Sequence, residues 1–368
     1  MKTYLTIFLA LLLSMLSART AAAQSQFDYA AGIIDRSTAL AQAAAVDAAA
    51  YPEAEAVIVE DATITKYQPN GQALEWGEFY LKVLTEKGRR ENQSLSLDFM
   101  LPYEKVEFVL VEAIKKDGTA IPVDLQTHSK VMIDPSQMGM NIYDPNEKVL
   151  VVSIPGLEIG DTIHGLTRSE LIKPRVPGTW SDYQIFEHTM PIKHAVYEVH
   201  APANLPLRSI ALKSKVSETV TYSKKEEHDG TAHRWEIRNV PRIFLEPNMP
   251  PAGTVVQRLL VSTISDWSEL SRWYWHLSEP HLKATSPALE QKVKDLTGDA
   301  AHADEKIARL FRFVSQEIRY LGVTAETEAP GYEPHDVSLT FENRHGVCRD
   351  KAALLAAMLR MAGLNAYP

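Results

Sequence analysis

The sequence predicts a multidomain protein. A mainly antiparallel β domain of sandwich-like type comes first, and a helical region organised around one cysteine follows. Three observations carry this. Over roughly residues 53–250 the hydrophobic period is two, with turn dipeptides between short apolar runs. Pro241, Pro247, Pro250 and Pro251 then crowd one stretch, which is extended and cannot be helix. Beyond it the period becomes helical. The 368 residues leave room for about two domains, and an apolar fraction of 45% is enough for a sizeable core. The expected divisions are a targeting segment at 1–23, a helical tether or linker at 24–52, the β domain at 53–250 and the second domain at 251–368.

Residues 1–23 have the form of a cleavable signal peptide. Lys2 gives the positive start, Tyr4 to Leu16 an apolar core too short for a convincing membrane span, and Ala21-Ala22-Ala23 a small-residue cleavage site. Gln24 becomes the expected mature N-terminus, and the expected location is periplasmic or secreted. No other long apolar run occurs, so the mature protein is expected to be soluble. Residues 24–52 are rich in Ala and Gln, and Ile33, Ile34, Leu40 and Val46 give a weak helical stripe ending at Tyr51-Pro52.

In the β region, Ala56-Val57-Ile58-Val59 begins a strand and Asn70-Gly71 is a strong turn signal. Glu78 to Leu84 follows as a strand. Val106 to Ile114 alternates, and Asp117-Gly118 turns it into Thr119 to Val123. Val149 to Ile154 is apolar on both faces, as a buried strand is. Ala195 to Ala201 places Tyr197 and Val199 on one side, and Asp229-Gly230 joins Thr219–Tyr222 to Ala232–Ile237.

In the second region, Asp266 and Glu269 form a capping-box pair for a helix through Leu277. Trp267, Leu270, Tyr274 and Leu277 share its core face, while Trp273 and Trp275 fall off that face, toward the domain junction. Ser286-Pro287 starts a second helix, which Gly298 ends. A third runs from about Asp304, with Ile307, Leu310, Phe311, Val314, Ile318 and Leu321 on one side and Gly322 closing it. A loop of about twenty residues with Pro330, Gly331 and Pro334 then leads to the cysteine, and loops of that length often line a site.

Cys348 is the only cysteine, so no internal disulfide can form. Gly346 ends the irregular stretch, Arg349 to Ala362 are good helix formers, and Gly363 stands where a C′ glycine belongs. Cys348 therefore falls at a helix N-terminus. Unpaired N–H groups and the positive end of the dipole favour a thiolate there, the form that acts as a nucleophile. Arg349 and Lys351 add positive charge. The ordinary role of a free cysteine, a small inert buried hydrophobe, is the competing reading.

The run Gly346-Val347-Cys348-Arg349-Asp350-Lys351-Ala352-Ala353-Leu354-Leu355, with Met358-Leu359-Arg360 and Gly363, resembles the cysteine motif of transglutaminase-like proteins. Phe311 to Tyr320 resembles the helix that precedes it in that family. Pro155 to Asp161, Trp235 to Pro241, Glu246-Pro247 and Met249-Pro250 resemble the domain of unknown function often found ahead of such domains. The resemblance implies a papain-like α+β fold for the second domain and a Cys-His-Asp set with Cys348 as nucleophile. It places the His and Asp on strands after the cysteine helix. No histidine or aspartate follows Asp350 up to Pro368, so the expected second domain is partial, truncated after that helix. On this basis the 368-residue chain is expected to lack amidase activity and to expose an apolar patch beside the helix Ala352–Ala362.

Without residues 1–23 the chain has 36 basic and 47 acidic residues, net −11, which argues against nucleic acid as a partner. No Gly-rich phosphate loop and no Gly-x-Ser-x-Gly elbow occurs, so nucleotide binding and serine hydrolase chemistry are unsupported, and no cofactor is implied. Glu226-Glu227-His228-Asp229 and Glu333 with His335-Asp336 read as solvated turns, lacking zinc-motif spacing. His335 and His345 read as loop-packing residues, and His345, three residues before a helix-starting Cys, is poorly placed as its base. Asp350 gains from the helix dipole and has Arg344 within sequence reach. Asn92-Gln93-Ser94 matches the glycosylation acceptor pattern. Two functions remain open: an exported cysteine enzyme acting on amide bonds of peptides, proteins or cell-wall peptides, or a non-catalytic binding or assembly protein of the cell envelope. The sequence fixes no oligomeric state.

Overall fold

A computed structural model describes residues 27–216, 219–323 and 331–368. The expected signal peptide and cleavage site lie outside the described residues. No described helix is long and apolar enough to cross a membrane.

The residues from Phe27 to Tyr51 are not a free tether. Helix α1 (Arg36–Ala44), capped by Asp35, packs Ala39 and Ala43 with Val46, Ala54, Val57, Val59 and Tyr80. It lies on one face of a large sheet. The sheet's strands are β1 (Ala56–Tyr67), β2 (Ala73–Val83), β4 (Glu104–Ile114), β5 (Ala120–Pro122), β8 (Thr162–Leu171), β10 (Ile192–Pro202), β12 (Val220–Glu227) and β13 (Gly230–Val240), in the order β12-β13-β10-β1-β2-β8-β4-β5. All its pairings are antiparallel except β1 with β10, which is parallel. The Asn70-Gly71 and Asp229-Gly230 turns join hairpins, as their turn chemistry requires. A short helix α2 (Glu86–Glu91) follows β2, held by the Thr85 side chain.

Two three-stranded sheets cover the opposite face. One contains β3 (Ser94–Met100), β6 (Ser129–Ile133) and β7 (Glu147–Ser153), in the order β3-β7-β6. It packs Val152, Leu150, Leu95 and Leu97 onto Leu81, Val111 and Ile163. The other, in the order β11-β14-β9, contains β9 (Ser181–Ile185), β11 (Ser209–Lys213) and β14 (Arg258–Ser262). It packs Leu259, Val261 and Trp180 onto Tyr67, Tyr197 and Trp235. The front domain is thus layered, with the N-terminal segment, the large sheet and the two small sheets in turn.

Strand β14 lies beyond the proline-rich stretch, so the front domain does not end at residue 250. Leu259 and Val261 point inward and Leu260 outward, the period-two pattern of a strand. Thr263 and Trp180 exchange backbone and side-chain hydrogen bonds at 2.8 Å. The chain leaves the front domain after Thr263.

The second domain comprises α3 (Trp267–Lys283), α4 (Pro287–Thr297), α5 (Ala303–Glu317), β15 (Arg319–Tyr320), α6 (Val337–Asn343), β16 (His345–Gly346) and α7 (Cys348–Met361). Asp266 caps α3 by accepting from Ser268 and Glu269, while Glu269 reaches back to Ser265. This helix runs past Leu277 to Lys283 and contains Pro280. Trp267, expected in the core, is 84% exposed in the first turn of the helix among the described residues. Trp273 meets Tyr332 edge-on, and Trp275 packs on the helical core beside Arg360 and Tyr367.

Helix α5 stops at Glu317, earlier than its apolar pattern suggests. Ile318 is extended and β15 pairs in parallel with β16. The face that enters the core is Leu310, Phe313 and Val314, while Ile307 and Phe311 are exposed. The expected long loop contains α6. The expected apolar patch on α7 is reduced, with Met361, Ala362 and Leu364 half-buried near the end of that helix. Helices α3 to α6 already surround it, burying Ala353, Leu354, Ala356, Ala357 and Met358 and half-burying Leu355 and Leu359. Burial of Leu354 and Met358 stabilises the domain by roughly 1.5–3 kcal/mol each, and of the alanines by less.

Candidate active site

Cys348 is the first residue of α7 and is exposed, while the helix behind it is buried. The helix end is built from its sequence. Val347 occupies the cap position and has no polar side chain, so Asp350 in the first turn satisfies the Val347 N–H at 2.9 Å. At the other end Gly363 (φ 82°) closes a Schellman motif, with Gly363 N–H to Arg360 O and Leu364 N–H to Leu359 O, both at 3.0 Å.

Asp350 is 1% exposed and turned under the cap. Its second oxygen accepts from His335 N–H at 2.9 Å and lies 3.2 Å from His335 Nδ1. The hydrogen bond and charge of Asp350 raise the His335 pKa above its ordinary value, against the effect of burial. Burial opposes ionisation of Asp350, but the hydrogen bonds from His335 and Val347 hold its pKa below the usual carboxylate value. Asp350 therefore pairs with His335 and not with Arg344, whose guanidinium stacks on Phe341 and Phe313. Gly346 is required by this packing, since a Cβ there would lie 2.7 Å from Asp350 Cβ.

The two cations next to Cys348 are committed to carbonyls. Lys351 Nζ donates to Ile318 O at 2.6 Å and Ser315 O at 3.4 Å, at the end of α5, where a cation complements the dipole. Arg349 Nε donates to Glu333 O at 2.8 Å. Desolvation lowers the Arg349 pKa, while Asp350, Tyr274, Asp144 and Tyr320 act to raise it.

Nothing in the sequence pattern singles out Tyr320. Pairing of β15 with β16 sets it opposite Gly346, two residues before the cysteine. Cys348 is among the groups that act on its phenol. Desolvation and then Cys348 raise the phenol pKa, which keeps the hydroxyl protonated and able to donate. The signal is hidden, because the apolar period of α5 runs on through Ile318 and Leu321 and makes Tyr320 look like an outer helical residue.

The other candidates separate. His345 sits in β16, opposite Arg319, and shares with His335 the lining of a cavity of about 30 Å³, room for one water. Glu333 and Asp336 both reach His281, at 3.2 and 2.8 Å. Glu227 pairs with His200 at 2.9 Å. Among the described residues no group of three or more His, Cys, Asp or Glu is arranged to hold a metal ion.

Residues 70–244 match the family described as a domain of unknown function with solved structures (DUF3857), and residues 290–367 match the transglutaminase-like superfamily. A search of curated proteins finds no match. Among solved structures, the chain is similar to a candidate protease from Parabacteroides distasonis, at 18% identity and a TM-score of 0.68, over 84% of this chain and 59% of that one. It spans about three-fifths of that relative, and the likeness is one of fold. An M1 zinc metallopeptidase from Deinococcus radiodurans aligns with 57% of this chain and 42% of its own at 13% identity and a TM-score of 0.28, too distant to bear on the fold.

Proposed function

The chain belongs to the transglutaminase-like superfamily through its second domain, and on that premise we propose that Cys348 is the nucleophile of an acyl-transfer enzyme acting on amide bonds of peptides, proteins or cell-wall peptides. The observation that supports this most directly is the arrangement at the start of α7. An exposed sulfur stands at a helix N-terminus, and the pairing of β15 with β16 sets Tyr320 opposite Gly346 in the lead-in to it.

The placement sets the chemistry. The thiolate of Cys348 attacks the carbonyl carbon, and the C=O π electrons move onto oxygen. That oxygen accepts from the Cys348 N–H, a donor already aligned by the helix. Tyr320, held opposite Gly346, is the candidate for the second donor to the oxyanion. Collapse expels the amine with a proton and leaves a thioester, which water or another amine resolves. The superfamily resemblance assigns proton transfer to a histidine C-terminal to the cysteine helix.

p-Nitrophenyl acetate and iodoacetamide separate these roles. The first forms an oxyanion and its leaving group departs without a proton, whereas the second alkylates sulfur with no oxyanion. Acetylation of Cys348 in the 368-residue chain is expected by mass spectrometry. Tyr320→Phe should slow acetylation about tenfold to a hundredfold more than it slows alkylation. A Cys348→Ala protein that acquires acetyl label as fast as the wild type would sink the nucleophile. Equal loss in both reactions would remove Tyr320 from the oxyanion site.

Export is part of the same reading and rests on Lys2, the apolar run Tyr4–Leu16 and Ala21-Ala22-Ala23. Recovery of the secreted or periplasmic protein with Gln24 at its N-terminus is the expected result, and retention of Met1 would contradict it.

A further inference from the structure

The front domain reaches the cysteine site through one segment. After β6, residues Pro135–Met140 form a 3₁₀ turn capped by Asp134, and Asn141 (φ 55°) reverses the chain. Gln137 is buried and holds the next residues, Ile142 to Asp144, in place. Its carbonyl accepts Ile142 N–H at 3.3 Å, and its side-chain oxygen accepts Asp144 N–H at 2.6 Å. The organised segment then pairs with the second domain. Gly322 N–H donates to Asn141 O at 3.0 Å, and Tyr143 N–H donates to Gly322 O at 2.8 Å, across a parallel bridge between Ile142 and Gly322. Gly322 is two residues beyond Tyr320. On its other edge the same short strand is held by Arg319 N–H to Arg344 O at 2.8 Å and Leu321 N–H to Gly346 O at 3.3 Å. The strand that carries Tyr320 is therefore fixed between the front domain on one side and the lead-in to Cys348 on the other.

A further contact points the same way. Arg175 of the front domain lies 4.8 Å from the Tyr103 ring centre and 5.9 Å from that of Tyr332, which in turn meets Trp273 of α3.

We infer that the front domain is a positioning part of the cysteine site: Asn141–Tyr143 holds residues 319–322 so that the strand carrying Tyr320 stays paired with the lead-in to Cys348. This rests on the reading of Cys348 as nucleophile and gives the front domain a role in that chemistry. Tyr143 acts through that strand and is a positioning residue.

The test uses Tyr143→Pro, which removes the N–H given to Gly322, and Tyr143→Phe, which keeps it. Two readouts are taken in the whole chain: deuterium exchange of the peptide covering 319–323, and the rate of Cys348 alkylation by iodoacetamide across pH 6–9. The expected result is exchange at least tenfold faster and alkylation about three- to tenfold slower in Tyr143→Pro, with Tyr143→Phe close to wild type. Should Tyr143→Pro not fold, Gln137→Leu carries the test, because it keeps the side-chain size and removes the acceptor for Asp144 N–H that organises the segment. It is expected to slow alkylation about two- to threefold. Faster exchange with unchanged alkylation overturns the inference, as does exchange that stays at the wild-type rate. Failure of the acyl-transfer reading is seen separately, as a wild-type Cys348 that takes no acetyl group from p-nitrophenyl acetate. The alkylation comparison needs no acyl chemistry and stands in either case.

Discussion

Replacing Asp350 by asparagine tests how the start of the cysteine helix is held. The wild-type carboxylate is 1% exposed and receives the His335 and Val347 backbone N–H groups, both at 2.9 Å, with His335 Nδ1 at 3.2 Å. Asparagine keeps one acceptor oxygen but turns an NH₂ toward groups that are themselves donors. Loss of one buried charged hydrogen bond costs about 1.5–3 kcal/mol. Loss of a first-turn acid against the helix dipole costs about 0.3–1 kcal/mol more. The expected penalty is about 3 kcal/mol, roughly two decades in an opening equilibrium. Deuterium exchange of the peptide Cys348–Met361 reads that opening directly, without assuming that both domains unfold together. The penalty should also depend on pH. The stabilisation from His335, whose folded pKa is raised, is fully present below about pH 6.5 and is lost as pH rises through the raised value. That from Asp350, whose folded pKa is depressed, is present above about pH 3.9 and is lost as pH falls through the depressed value. The difference between wild type and Asp350→Asn should therefore be largest near about pH 5–6 and smaller by about pH 9. Exchange in Asp350→Asn as slow as wild type at pH 5.5, or a penalty that grows toward pH 9, would refute the account.

Two further outcomes concern packing. His164 is buried between Glu78 and Glu112, with each ring nitrogen 2.7 Å from a carboxylate, and Tyr80 stacks on it at 4.2 Å. His164→Ala leaves two buried acids without their shared partner and should destabilise the front domain by about 3–5 kcal/mol, seen in thermal unfolding; a loss below about 1 kcal/mol would contradict this. Trp267 projects into solvent, so Trp267→Ala should change stability by no more than about 0.5 kcal/mol, and a larger fall in the melting temperature would put the residue in a contact the fold does not contain.

Residues with local consequences were legible in the sequence. Asn70-Gly71, Asp229-Gly230, the caps Asp266 and Ser286, and the run from Gly346 to Gly363 each act within a few positions of themselves, and each stands where its chemistry requires. Strand β8 was not legible. Its His164, Gly165, Arg168 and Glu170 break the apolar alternation, because His164 enters a buried polar network and Gly165 lies beneath the Phe79 ring. Strand β14 was hidden by its position after the prolines. The cysteine could be found from its helix, but Tyr320 and the bridge from Ile142 to Gly322 could not. What brings these segments together is pairing between stretches distant in sequence, and no local period records that pairing.

The parallel pairing of β1 with β10 has a consequence for how the chain is made. Strands β1 and β2 can zip together as soon as they leave the ribosome, but the neighbour on the other edge of β1 begins at Ile192, opposite Ile58. Roughly 130 residues must be synthesised in between, about 7–26 seconds of translation at roughly 5–20 residues per second. Throughout that interval an apolar edge containing Val57 and Val59 is open to any passing strand. Export through a narrow channel as an unfolded chain would postpone the whole problem to the far side of the membrane, where the complete set of strands arrives together. Yield on overproduction should then depend less on the finished stability of the sheet than on whether that edge is kept apart from its copies until β10 arrives.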